Sequence, residues 1–68
     1  MKLNIGGELT EVEGVRSIYD LLGRIGIDSE KKGIAIAKNG AIVPRKSWQQ
    51  EYVSDGDAIE IVRASQGG

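Results

Sequence analysis

Apolar and polar residues alternate along Lys2-Leu3-Asn4-Ile5, stop at Gly6-Gly7, and alternate again along Glu8-Leu9-Thr10-Glu11-Val12. A period of two sends successive side chains to opposite faces, so each run reads as a strand. The glycine pair between them predicts a β-hairpin with a tight turn. Leu3, Ile5, Leu9 and Val12 are expected on one core face. Glu13-Gly14 ends the pattern, and the period then changes. Ile18, Leu21, Leu22 and Ile25 fall at i, i+3, i+4 and i+7, which is one face of a helix of about nine residues. Ser17 is placed to cap its start. Asp20, three residues on, completes a capping-box pattern, and Gly26 stands where a C-terminal cap glycine belongs. Gly23 inside the helix costs about 1 kcal/mol relative to alanine.

Beyond a polar connection from Asp28 to Gly33, the stretch Gly33-Ile34-Ala35-Ile36-Ala37-Lys38 alternates once more, and Ala41-Ile42-Val43 returns before Pro44. Asn39-Gly40 between the two is the strongest short hairpin signal a sequence carries. Arg45 to Glu51 has no clear period and reads as a turn or a short helical piece. Trp48 is the only tryptophan, and its large apolar area predicts a lid over one end of the core. Tyr52-Val53 is expected as a brief edge strand, Ser54-Asp55-Gly56-Asp57 as a turn, and Ala58 to Arg63 as the final strand. One short helix cannot bury its apolar stripe alone and needs a sheet. The expected class is therefore α+β, with element order β-β-α-β-β-β.

Length and composition narrow what this fold does. At 68 residues the chain suits one small domain, near the lower limit for a core without covalent staples. The domain is expected over 1–64, with 65–68 as a flexible C-terminal tail ending in Gly67-Gly68. Cysteine and histidine are both absent, which removes disulfides, thiolate metal sites and the commonest acid–base and nucleophilic groups. Nine Lys and Arg stand against ten Asp and Glu, for a formal net charge of −1. The two signs are interleaved, so no concentrated basic face for nucleic acid is expected. Local asymmetry remains, with Glu8, Glu11 and Glu13 early and Lys31, Lys32, Lys38, Arg45 and Lys46 in the middle. The start, Met1 to Ile5, is too short in apolar residues for a signal peptide, and no run approaches membrane-spanning length. The protein is expected in the cytoplasm, with no membrane partner. Asp55 and Asp57 lack the further alternating oxygen ligands of a calcium loop and read as turn chemistry. No metal site and no enzymatic activity are expected.

What remains reactive is the carboxylate of Gly68. Glycine's wide conformational range lets Gly67-Gly68 enter a narrow channel. From Arg63 the five remaining residues extend about 17 Å, enough to reach a neighbour's pocket. A carboxylate is inert to nucleophiles until activated, so activation must come from elsewhere, and an ATP-using partner could supply it as an acyl-adenylate.

Asn39-Gly40-Ala41-Ile42-Val43-Pro44-Arg45, then Trp48, then Asp55-Gly56-Asp57-Ala58-Ile59-Glu60-Ile61-Val62, and finally Gly67-Gly68, in this order and spacing, resemble the thiamine-biosynthesis sulfur carrier protein family. The resemblance covers nearly the whole chain. It implies a ubiquitin-like β-grasp, a mixed sheet of about four to five strands wrapped around one helix. It further implies that Gly68 is adenylated by an ATP-dependent, ubiquitin-activating-like enzyme. A sulfur-donating enzyme then converts the adenylate to a thiocarboxylate, and the sulfur passes to thiazole synthase. ATP is consumed by the partner, and no cofactor is bound by the carrier itself. Gly67, Gln66, Ser65 and Arg63 are expected to contact the partners. Ala64-Ser65-Gln66 departs from the family, being small and polar where relatives often carry a larger apolar residue. The alternatives are a molybdopterin-type sulfur carrier, a ubiquitin-like protein modifier, or a β-grasp binding module. Against the first, this chain lacks phenylalanine, and its single proline is Pro44.

Overall fold

Both hairpins and the helix form where the sequence pattern places them. The computed structural model describes residues 1–64; the expectations for Ser65, Gln66, Gly67 and Gly68 lie outside the described residues. The elements are β1 (Lys2–Ile5), β2 (Glu8–Glu11), α1 (Ile18–Arg24), β3 (Ile34–Lys38), β4 (Ala41–Val43), a 3-10 turn (Arg45–Ser47) and β5 (Ala58–Arg63). They form one sheet in the order β2-β1-β5-β3-β4. Each hairpin leaves one unpaired edge, on β1 and on β3, and β5 fills the gap between them. It pairs parallel to β1 and antiparallel to β3, so two exposed edges become interior. With α1 packed across one face, this is the β-grasp.

The core comprises Leu3, Val12, Val15, Ile18, Leu21, Leu22, Ile36, Val43, Trp48, Val53 and Ile59. Leu9 is not part of it, contrary to the expectation, and stands 66% exposed. The two-residue turn at Gly6-Gly7 sets the reason, because it pairs Ile5 with Glu8 and therefore Leu3 with Thr10 and Asn4 with Leu9. Residues opposite each other share a face, so Leu9 joins Asn4 on the solvent side and Thr10 lies beneath Leu3.

The helix is seven residues long, shorter than its apolar spacing implies, because Ile25 serves as the C-cap. The Gly26 N–H then bonds the Gly23 carbonyl at 3.3 Å and the Ile27 N–H the Leu22 carbonyl at 2.8 Å, a Schellman closure. At the other end the Ser17 hydroxyl accepts from the Asp20 N–H at 3.2 Å, and the Asp20 carboxylate accepts from the Ser17 N–H at 3.3 Å. The predicted capping box is present. Ser17→Ala is expected to lower stability by about 1 kcal/mol, read as a shifted urea midpoint at constant slope; an unmoved midpoint refutes this account of the helix start.

Tyr52-Val53 does not become an edge strand. Tyr52 makes only an isolated bridge to Ser17, while the Val53 N–H bonds Arg16 and the Ile18 N–H bonds Glu51. This segment pairs with the approach to the helix and never reaches the sheet. Val53 is buried and Tyr52 exposed. No helix among the described residues is long and apolar enough to cross a membrane.

Candidate functional site

The site is built from both ends of β5. Its start is anchored where the two glycine turns meet. Asn39 and Gly40 both have positive φ, 51° and 86°, the primed turn that suits a hairpin's twist. The Asn39 amide then reaches beyond its own turn: Oδ1 accepts from the Ala58 N–H at 2.9 Å and Nδ2 donates to Asp57 Oδ1 at 3.0 Å. Asp57 Oδ2 accepts from the Ser54 N–H at 2.8 Å, and Asp55 Oδ1 from the Lys2 N–H at 2.6 Å. Both carboxylates are therefore committed to backbone donors, as turn chemistry predicts. Among the described residues no group of three or more His, Cys, Asp or Glu is placed to hold a metal ion.

Partial burial pushes the Asp57 carboxyl's pKa up, but the Asn39 amide, the Ser54 N–H and the charge of Lys38 outweigh it. The net result is a carboxyl below its ordinary value of 3.8. A group depressed in the folded state stabilises the fold fully above its ordinary pKa, and that contribution is lost as pH falls through the lower folded value. Asp57→Asn removes this titration. Its stability deficit against the wild type is expected to be constant near neutrality and to shrink on acidification below about pH 4. Parallel stability curves across the acid range would refute it.

The far end of β5 is the exit of the described chain, which ends at Ala64. β1 pairs only with Ala58 and Ile59, whereas β3 accompanies the strand to its last residue, with Ile34 opposite Arg63. One further tie follows, from the Ala64 N–H to the Gly33 carbonyl at 2.6 Å. Gly33 has φ of 82°, and a Cβ built there would stand 3.4 Å from the Cβ of Ala64. That is ordinary contact, so backbone conformation and not space calls for glycine. Of the five expected site residues, Arg63 is placed at this exit, exposed; Ser65, Gln66, Gly67 and Gly68 lie outside the described residues.

Two features around the exit were not legible in the sequence. On the sheet's outer face, Ile42 of β4 and Val62 of β5 are 68% and 56% exposed, with Ala35 and Ala37 of β3 beside them in register. They form a small apolar face running up to the exit. On the other side, a depression of about 410 Å³ is lined by Ile27, Asp28, Lys31, Lys32, Arg63 and Ala64, among others. The lysine pair at 31–32 is visible in the sequence. That Arg63 joins it depends on the β3–β5 register.

Arg45 explains why the loop beneath this depression holds its shape. Its guanidinium lies over the Trp48 ring, 4.5 Å from the centroid. It donates to the carbonyls of Ser29 and Lys31, the latter at 2.7 Å. The planar fork is thus a bracket between the 3-10 turn and the loop from Asp28 to Gly33. Trp48 is held in turn by its indole N–H, which donates to the Val43 carbonyl at 2.9 Å.

Comparison with known proteins bears on all of the chain. The model of the ThiS family matches residues 3–68. A thiazole synthase from Paramagnetospirillum magneticum is 43% identical over 68 residues, which span the whole chain and 20% of that protein. The chain thus accounts for about a fifth of that relative's length. The sulfur carrier protein ThiS of Escherichia coli is 31% identical over 68 residues, the full length of both. Among solved structures, the crystal structure of the thiamine biosynthesis protein ThiS from Geobacter metallireducens has a TM-score of 0.83 at 26% identity, with both chains covered completely. Its solution structure gives 0.79 at 26% identity, over all of this chain and 88% of that one. The match in sequence from β1 to Gly68, together with the shared sheet and helix, establishes that this chain belongs to the ThiS family.

Proposed function

We propose that the protein is a sulfur carrier of thiamine biosynthesis, charged and discharged at the carboxyl group of Gly68. The observation that carries this reading is the extent of the family match, which runs to residue 68 and so includes Gly67-Gly68. The full-length likeness to a sulfur carrier from Escherichia coli supports it.

The chemistry follows from the inertness of a carboxylate. An adenylating enzyme lets a Gly68 carboxylate oxygen attack the α-phosphorus of ATP, which forms the acyl-adenylate and releases pyrophosphate. A sulfur nucleophile at the oxidation level of sulfide then attacks the carbonyl carbon, and AMP leaves with the activated oxygen. The product is a thiocarboxylate. Thiazole synthase is the proposed acceptor of that sulfur, a reading supported by the 43% identity to a segment of a protein of that name. ATP belongs to the partner, and the chain carries the group without catalysing its transfer. Arg63, one residue before the final Ala64–Gly33 tie, contacts the enzyme that receives the tail. Ordering each tail residue in a partner costs about 1–2 kcal/mol of backbone entropy, which keeps the docking reversible for a carrier serving two enzymes in turn.

The deciding measurement is an intact mass spectrum before and after incubation with ATP, the adenylating enzyme and a sulfur source. A gain equal to the mass of sulfur less that of oxygen, localised to Gly68, is expected. No gain under conditions that charge a known carrier overturns the proposal.

A further inference from the structure

We propose that the depression at the tail exit, lined by Lys31, Lys32 and Arg63, is a docking groove for an acidic segment of the adenylating enzyme. The inference rests on the carrier reading, and deepens it by assigning the surface through which the carrier is recognised.

The groove's charge is one-sided. Three cations and a single carboxylate, Asp28, are among its lining residues, and Asp28 Oδ1 already accepts from the Glu30 N–H at 2.9 Å. The ion pairs among the described residues lie elsewhere, between the Met1 amino group and Glu11 and between Lys38 and Glu51. The protein as a whole is slightly acidic, with a net charge of −1. A local excess of positive charge at this one place is therefore not a reflection of overall composition.

The backbone that presents the two lysines is held, not loose. The Arg45 guanidinium bonds the Ser29 and Lys31 carbonyls from one side. The Lys31 N–H bonds the Asp28 carbonyl at 3.1 Å, and the Gly33 carbonyl takes the Ala64 N–H from the other. Lys31 and Lys32 are thereby fixed to the same loop that ties down the last described residue before the tail. Positioned charge of this kind costs less to bring against a partner than charge on a mobile loop.

Position favours the contact. Ala64 lines the groove, and the four residues beyond it span about 13 Å when fully extended. An enzyme that encloses Gly68 brings its own surface within about 13 Å of the groove that holds Lys31, Lys32 and Arg63. Covering three cations with neutral or basic surface would strip their hydration without replacing it, so the enzyme must offer carboxylates there. Such pairing accelerates encounter and selects partners more than it tightens the final complex, as suits a carrier that must be released.

The test compares the intact protein with Lys31→Glu/Lys32→Glu in adenylation by the enzyme, read as ATP–pyrophosphate exchange against carrier concentration at low and high salt. Lys2→Glu, at the opposite end of the sheet from the exit, serves as the control. The groove variant is expected to raise KM roughly ten- to hundredfold at low salt with kcat unchanged, and the gap to narrow as salt screens the pairing. Lys31→Gln/Lys32→Gln should raise KM in the same direction by less, which keeps the test decisive should charge reversal disturb the loop. An unchanged KM in both groove variants, an equal rise in Lys2→Glu, or a fall in kcat without a rise in KM overturns the groove while wild-type charging upholds the carrier. If the wild type itself is not adenylated, the carrier reading fails and the groove with it.

Discussion

Removal of Gly68 is expected to abolish sulfur loading while the domain unfolds at the same urea concentration as the intact chain. Among the described residues every core residue lies between Leu3 and Ile59, so the fold is held by apolar surface far from Gly68 in sequence. Its loss instead displaces the reacting carboxylate. Shortening or lengthening the chain by one residue moves that group by about 3.3–3.6 Å, against a tolerance where about 1 Å of misplacement costs on the order of a hundredfold in rate. Both variants should therefore lose charging by at least about that factor. Intact mass after incubation with ATP, the adenylating enzyme and a sulfur source measures the charged fraction directly. Retained loading by either variant would mean that Gly68 is not the carrier group.

The second large effect concerns stability. Trp48→Ala should cost about 3–5 kcal/mol, because the indole is 2% exposed and packs in the main core. Its loss also leaves the Val43 carbonyl without the indole N–H and the Arg45 guanidinium without its ring. A domain of this length has a total stability of roughly 3–10 kcal/mol, so the substitution removes between about a third and all of it. Trp48→Phe restores much of the packing but not the hydrogen bond, and should cost less, on the order of 1–3 kcal/mol. Urea unfolding followed by far-ultraviolet circular dichroism reads both. A loss below about 1 kcal/mol for the alanine variant would show that the lid over the core is dispensable.

Both effects trace to one division of labour in the chain. Asn39-Gly40, Pro44-Arg45, Trp48 and Asp55-Gly56-Asp57 carry much of the family resemblance, and all stand well before Gly67-Gly68 in the chain. They brace the start of β5 and the loop beneath its exit. Asn39 and Asp57 clamp one end of the strand, and Arg45 holds the loop whose Gly33 receives Ala64 at the other. A carrier still needs its last strand aimed, and these residues aim it.

What the sequence by itself determined is what depends on near neighbours in the chain. Hairpin turns, the capping box at Ser17 and Asp20, the Gly26 closure and the buried stripe of Ile18, Leu21 and Leu22 follow from spacings of two to four residues, where backbone geometry dictates which side chains meet. Gly67-Gly68 as a candidate site was likewise a reading of adjacent residues. Only the tertiary structure decided which face each strand presents, and so placed Leu9 in solvent and Thr10 beneath Leu3. It alone inserted β5 between the two hairpins, took Tyr52-Val53 to the helix approach, and brought Arg63 to Lys31 and Lys32 across 32 and 31 positions of sequence. Those outcomes depend on strand register and on which open edge pairs with which. Pairing between distant segments is settled by the burial and hydrogen bonding of the whole sheet, and no local pattern encodes it.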